Sequence, residues 1–331
     1  MVSDFNLSIA SDALGLSQPL TKLVETVARG AGILYEPIHK KRMAKATAEE
    51  IQTIADVCQK NIQIPIDYEK DGVVISTNKQ IADLAKRAML RNLAQEMNKQ
   101  QNIESIVHFA EENLKQETKV SEEPVSQTWL SNFFELSGHI EEENLQKIWG
   151  KLLAGEIKKP SSYNLRTLSI LKNMSSSEAI CFQRISSFVV RFGRNYIIPR
   201  IDSLENKYKI KYEDMMLLEE CGVLTTGPFL QLTINLEDKK TPLFNNRLVA
   251  VLQSNNTKFK SFATEIYALT SAGIDIFNII EQDPNNDFFK EYIQNLKLVN
   301  SDLLAPIYKH TGIKNKNGQD VFKLSELELV Q

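Results

Sequence analysis

Cysteine is scarce in this chain: three among 331 residues, Cys58, Cys181 and Cys221. They lie far apart and form no CxxC pair, so they read as reduced thiols rather than as a disulfide framework or a zinc ribbon. Histidine occurs four times. His39, His108, His139 and His310 are scattered, none within five residues of a cysteine, so metal-ligand spacing is missing. Glycine is thin too, and Gly150 and Gly155 sit inside a helical pattern without the spacing of a phosphate loop or a dinucleotide fingerprint. There is no G-x-S-x-G elbow to present a nucleophile. No window reaches the roughly 18 uncharged apolar residues that a membrane-spanning helix requires. The start, MVSDFNLSIASD, lacks the basic and apolar runs of a signal peptide. With 39 basic residues against 42 acidic ones the net charge is −3, so no global field draws nucleic acid. These absences predict a cytoplasmic protein with no metal and no cofactor, and not an enzyme.

What is present is amphipathic helix. Leu20, Leu23, Val24, Val27, Ala31 and Leu34 recur three and four apart after Ser17 and Pro19, so they share one face. A more polar helix follows to about residue 59. Residues 61–76 carry Pro, Asp-Gly and two short β-prone runs. From Asn78 one long amphipathic element is expected, and near Asn102 a second. The charged, Pro-containing stretch 115–127 reads as a linker. In IWGKLLAGEIKKPSSYNLRTLSILKNM, residues 148–174, a helix ends at Pro160 and Ser161 or Ser162 opens the next. Ser175 with Glu178 forms a capping box for a third helix through Val189. Beyond residue 200 the texture changes. A helix at YEDMMLLEE, strands at QLTINL, RLVAVLQ and EIYALT, and a helix capped by Thr270 suggest a winged-helix-like unit. A further helix and an Asn-Gly hairpin close the chain. The expected fold is mainly α, with helical segments at 1–60, 61–118 and 119–200 and a smaller α+β winged-helix-like domain at 201–331.

Three segments carry a resemblance: PLTKLVETVARGAGILYEP, RAMLRNLAQEMNKQQNIESI, and WLSNFF followed by LQKIWGKLLAGEIKKPSSYNLRTLSILKNMSSSEA. On these the chain resembles an uncharacterised bacterial family, a domain of unknown function, over roughly residues 18–185. Ser161 stands where that pattern calls for Gly after Pro160, and Ser126-Gln127-Thr128 where an acidic pair precedes the Trp. More loosely, the Trp-x-x-Leu-Leu-Ala pattern before a Pro-containing turn is similar to abortive-infection proteins of the Abi-alpha type. That likeness implies a role in defence against phage.

Three functions follow as expectations. The first is a self-assembling interaction or scaffold protein, partnered by its own copies or by another protein. Its structural or interface residues are Trp149, Leu152, Leu153, Glu156, Tyr163, Arg166 and Leu168, with Glu156 expected to pair with Arg166. The second is action at a membrane surface, peripheral to its inner face. There the stripe from Leu20 to Leu34, otherwise a core face, would lie beside Lys40, Lys41 and Arg42. The third is a winged-helix regulator that binds nucleic acid through a basic excess including Arg191, Arg194 and Arg200. It is the weaker partner class, because the helix that would enter the groove carries Glu213, Asp214, Glu219 and Glu220.

Overall fold

Apolar residues spaced three and four apart shape most of the N-terminal half of the chain into helices, and the C-terminal half combines helices with an antiparallel sheet. The computed structural model describes residues 17–31, 66–69, 72–75, 84–227, 230–236, 240–309, 314–316, 319–321 and 328–330. Two compact units divide the chain, residues 1–172 and 173–331.

In the first unit, α1 (Gln18–Ala31) is followed by an antiparallel pair, β1 (Ile66–Glu69) and β2 (Gly72–Ile75). Next come α2 (Leu84–Leu114), α3 (Gln127–Ser137), α4 (Glu143–Lys158) and α5 (Leu165–Asn173). The core is an apolar stripe from each helix: Leu23 and Val27; Ile106, Val107, Ala110 and Leu114; Leu130 and Phe133; Trp149, Leu152, Leu153 and Ile157. Phe133 sits at its centre, stacked on Trp129 with ring centroids 5.0 Å apart and tilted against Trp149 at 5.3 Å. The two elements expected from Asn78 and Asn102 are one helix of 31 residues. Asn102 does not interrupt it, because its amide turns inward and donates to the Gly138 carbonyl at 2.9 Å. The stretch read as a linker lies within this unit. Val125 is buried, the Lys22 ammonium donates to the Glu122 carbonyl, and Ser121 N–H donates to the Lys158 carbonyl.

The second unit opens with α6 (Ser176–Ser186), whose capping box is formed by Ser175 and Glu178. The helix ends before Val189, where the expected one continued. The chain then makes a hairpin, β3 (Val190–Phe192) and β4 (Asn195–Pro199), turning at Gly193, whose φ is +58°. Then follow α7 (Asp202–Tyr208), α8 (Tyr212–Glu220), β5 (Leu224–Thr225), β6 (Gln231–Asn235), β7 (Thr241–Phe244), β8 (Leu248–Ser254) and β9 (Ser261–Leu269). The C-terminal part holds α9 (Ser271–Ile279), α10 (Asn286–Val299), β10 (Leu303–Leu304), β11 (Ile307–Lys309), the pair β12 (Lys314–Lys316) and β13 (Gln319–Val321), and β14 (Glu328–Leu329).

Ten of these strands form one antiparallel sheet in the order β14-β11-β8-β7-β3-β4-β9-β5. On it β10 pairs with β8, and β6 with β9. This overturns the expected fold, a mainly helical chain with a small winged-helix-like domain. The strands read from RLVAVLQ and EIYALT are not neighbours, because β7 and the β3–β4 hairpin lie between them. The physical reason is burial. The first five residues of β8, Leu248 to Leu252, are all buried, which marks a strand covered on both faces rather than a wing. β9 alternates over its first half, as a strand with one open face does.

Candidate interaction surface

The residues singled out around the helical turn come together, in a manner their spacing does not reveal. Trp149, Leu152, Leu153 and Leu168 are fully buried. Glu156 is only 1% exposed, yet its carboxylate is the hub of the turn. It accepts from the backbone N–H groups of Ser161 at 2.6 Å, Ser162 at 3.0 Å and Tyr163 at 3.1 Å. A buried carboxylate is tolerable because these charge-assisted bonds replace its water. Arg166 is exposed on the following helix. The next helix is opened by Asn164, whose side-chain oxygen accepts from Thr167 N–H at 3.1 Å, rather than by either serine. Ser161 has φ +65°, the left-handed conformation that favours glycine. Gly150 and Gly155 are packing residues. A methyl group at Gly150 would lie 2.5 Å from the Phe109 side chain and 3.0 Å from the Ala110 nitrogen, so α2 and α4 meet backbone to backbone there. At Gly155 it would run into the Tyr163 ring.

The stripe of α1 is turned inward. Leu23 and Val27 are buried, Leu20, Val24 and Ala31 are half-buried, and the helix packs on α2, α3 and α4. Arg29 donates to the Val125 carbonyl at 3.2 Å. Leu34, Lys40, Lys41 and Arg42 lie outside the described residues. Among those described, no helix is long and apolar enough to cross a membrane.

The basic excess near residues 184–211 is largely engaged within the second unit. Arg184 pairs with Asp214 at 2.6 Å and Lys207 with Glu291 at 2.6 Å. Arg191 lies 5.0 Å over the Phe244 ring and Arg200 5.7 Å over that of Tyr267. Arg194 is exposed at the β3–β4 turn. Between α6 and α8, the Cys181 thiol donates to Asp214 at 3.6 Å, and Cys221 is hydrogen-bonded to Glu178. Burial first, then these carboxylates, push both thiols up, Cys221 to about 12. Both therefore stay protonated near neutral pH, the opposite of an activated nucleophile. Burial likewise raises the Glu205 carboxyl, while its hydrogen bond from Tyr267 opposes that shift. Tyr267, itself pushed up to about 12 by burial and by Glu205, is occupied by that bond. Among the described residues no group of three or more His, Cys, Asp and Glu could hold a metal ion.

A few large apolar residues are also exposed. Leu298 is 76% and Val299 75% exposed on the last turn of α10, and Leu304 is 46% exposed five residues on. A tight turn, in which Leu303 N–H donates to the Asn300 carbonyl at 2.9 Å, folds β10 back beside the helix end. Ile180 and Tyr212 are exposed on α6 and α8. Singly exposed apolar residues need no explanation, but here three fall within seven residues. Sequence periodicity gave no sign of it, because Leu298 and Val299 look like two more members of a helical stripe.

This arrangement defines a two-unit α+β protein, helical in its first unit and built on a wide antiparallel sheet in its second. Residues 86–296, more than half of the chain, match the family described as "Protein of unknown function (DUF2806)", and the chain belongs to that family. No curated protein and no solved structure matches it.

Proposed function

We propose that this chain is a non-catalytic binding protein that assembles with its own copies and takes a second protein on the apolar end of α10. The observation that carries the reading is the exposure of Leu298, Val299 and Leu304 together. Burying them on an apolar partner would release water from surface worth roughly 25 cal/mol per Å². The engagement of the Cys181, Cys221, Glu205 and Tyr267 side chains with one another or with nearby carboxylates fits the same reading. The looser likeness to Abi-alpha proteins supplies the setting, defence against phage. The nucleic-acid alternative has no wing to stand on, since its strands belong to the ten-stranded sheet.

Sedimentation velocity over a wide concentration range tests assembly: the mass should rise with concentration, and a constant single-chain mass would sink it. Expression in cells challenged with phage tests the setting, and plating efficiency should fall. The double variant Leu298→Asp, Val299→Asp should accumulate normally, keep its circular dichroism and lose that protection. Protection unchanged in the double variant would remove the α10 end as the partner surface.

A further inference from the structure

α7 is held to the second unit on two sides. Toward α10, the Lys207 ammonium pairs with the Glu291 carboxylate at 2.6 Å and the Tyr208 hydroxyl donates to it at 3.0 Å. The Tyr208 ring also meets that of Phe288 edge-on, with centroids 5.3 Å apart. Toward the sheet the contact is Glu205, whose carboxylate accepts from the Tyr267 hydroxyl on β9. Its Oε1 atom is closed off from solvent and has no hydrogen-bond partner among the described residues. Glu156 is buried as well, but there three backbone N–H groups replace water. A buried ionised oxygen without a donor is costly. The surrounding charges do not offset that cost. From β9, Glu265 faces Glu205 beside Tyr267, and from α7 itself Asp202 does. Arg200, following β4, is the one cation of the group, and its guanidinium lies 5.7 Å over the Tyr267 ring. Tyr212, at the start of α8, acts on Tyr267 from the far side.

We infer that Glu205 is a proton-operated latch: taking up a proton seats α7 on β9, and losing it loosens α7 from the sheet. Protonation removes the buried charge at Oε1 and still leaves the carboxyl an acceptor for the Tyr267 hydroxyl. Burial first, then Asp202 and Glu265, raise the Glu205 carboxyl, against the opposing pull of Tyr267 and Arg200. A raised folded-state value fixes the sign. The stabilising contribution is complete below the unfolded value, about 4.3, and is lost as pH rises through the folded one. Tyr267 itself, pushed up to about 12, keeps its proton across that range. With seven residues α7 is too short to hold its shape without docking, so its order follows the latch. Lys207 and Tyr208 retain it on the α10 side, and opening on the sheet side uncovers Tyr267, which is 3% exposed when α7 is seated.

Amide exchange on the full chain, corrected for the intrinsic effect of pH, reads the latch directly. Between pH 4 and pH 8 the protection of the Leu204 to Tyr208 amides, taken relative to β8, should fall at least about threefold. In Glu205→Gln, which carries no charge at any pH, the same ratio should stay flat. If that variant loses its circular dichroism, Glu205→Met takes its place, with the same flat profile expected. The Glu205 carboxyl gives an independent reading by carbon NMR, its resonance identified by its absence from the variant. It should titrate above the ordinary glutamate value of about 4.3. A carboxyl that titrates at or below that value overturns the inference. So does α7 protection that falls with pH equally in wild type and variant, or in neither.

Discussion

Glu156 shows how one side chain can organise a turn. Three backbone N–H groups converge on its carboxylate inside the protein. Glu156→Ala removes the common acceptor of three part-buried N–H groups, and equilibrium denaturation should show a loss of about 1–3 kcal/mol. Ser161→Gly should act oppositely, raising stability by up to about 1 kcal/mol, because the left-handed conformation penalises a Cβ. Glu178 links stability to pH. The Ser175 backbone N–H, then the Ser175 hydroxyl, then Cys221 hold its carboxyl below the ordinary range. A depressed folded-state value stabilises the fold above the unfolded value, about 4.3. That contribution is lost as pH falls through the folded value. Ser175→Ala should therefore cost about 1 kcal/mol at pH 7 and distinctly less near pH 3, measured as urea midpoints.

At the scale of elements, the α2–α4 contact is set by what Gly150 lacks. Gly150→Ala should force the two helices apart and cost about 1–3 kcal/mol, with a lower thermal midpoint as the readout. Trp149→Ala empties the space beside Phe133 and should cost about 3–5 kcal/mol. A Trp149→Ala protein of wild-type stability would show that the ring is not a core residue. The buried amides of Asn102 and Gln146 bind α2 to α4 across the same contact: Gln146 donates to the Asn102 side chain at 3.3 Å and to the Ile140 carbonyl at 2.8 Å. Two polar residues in apolar stripes hint at such a pair, but only proximity makes it one.

Across the whole molecule, protection should follow strand position. β8 is paired along both edges and buried on both faces over Leu248 to Leu252, so its amides should be the slowest to exchange in the second unit. Uniform exchange across β8 and the two-residue strands β5 and β14 would contradict the strand order.

Much of this was legible in the residues themselves. Three- and four-residue spacing located α1, α4 and α10, Ser175 with Glu178 announced the start of α6, and Thr270 announced that of α9. All of these are local, because helices and caps are satisfied within a few residues of chain. The β3–β4 hairpin had a signal that went unused, Gly193-Arg194 between β-prone flanks. Tertiary structure alone decided the strand order, the burial of β8, and that three backbone N–H groups converge on Glu156. Strand pairing draws its hydrogen bonds and burial from residues far apart in the chain, so a short alternating run states that it is a strand without stating its neighbour.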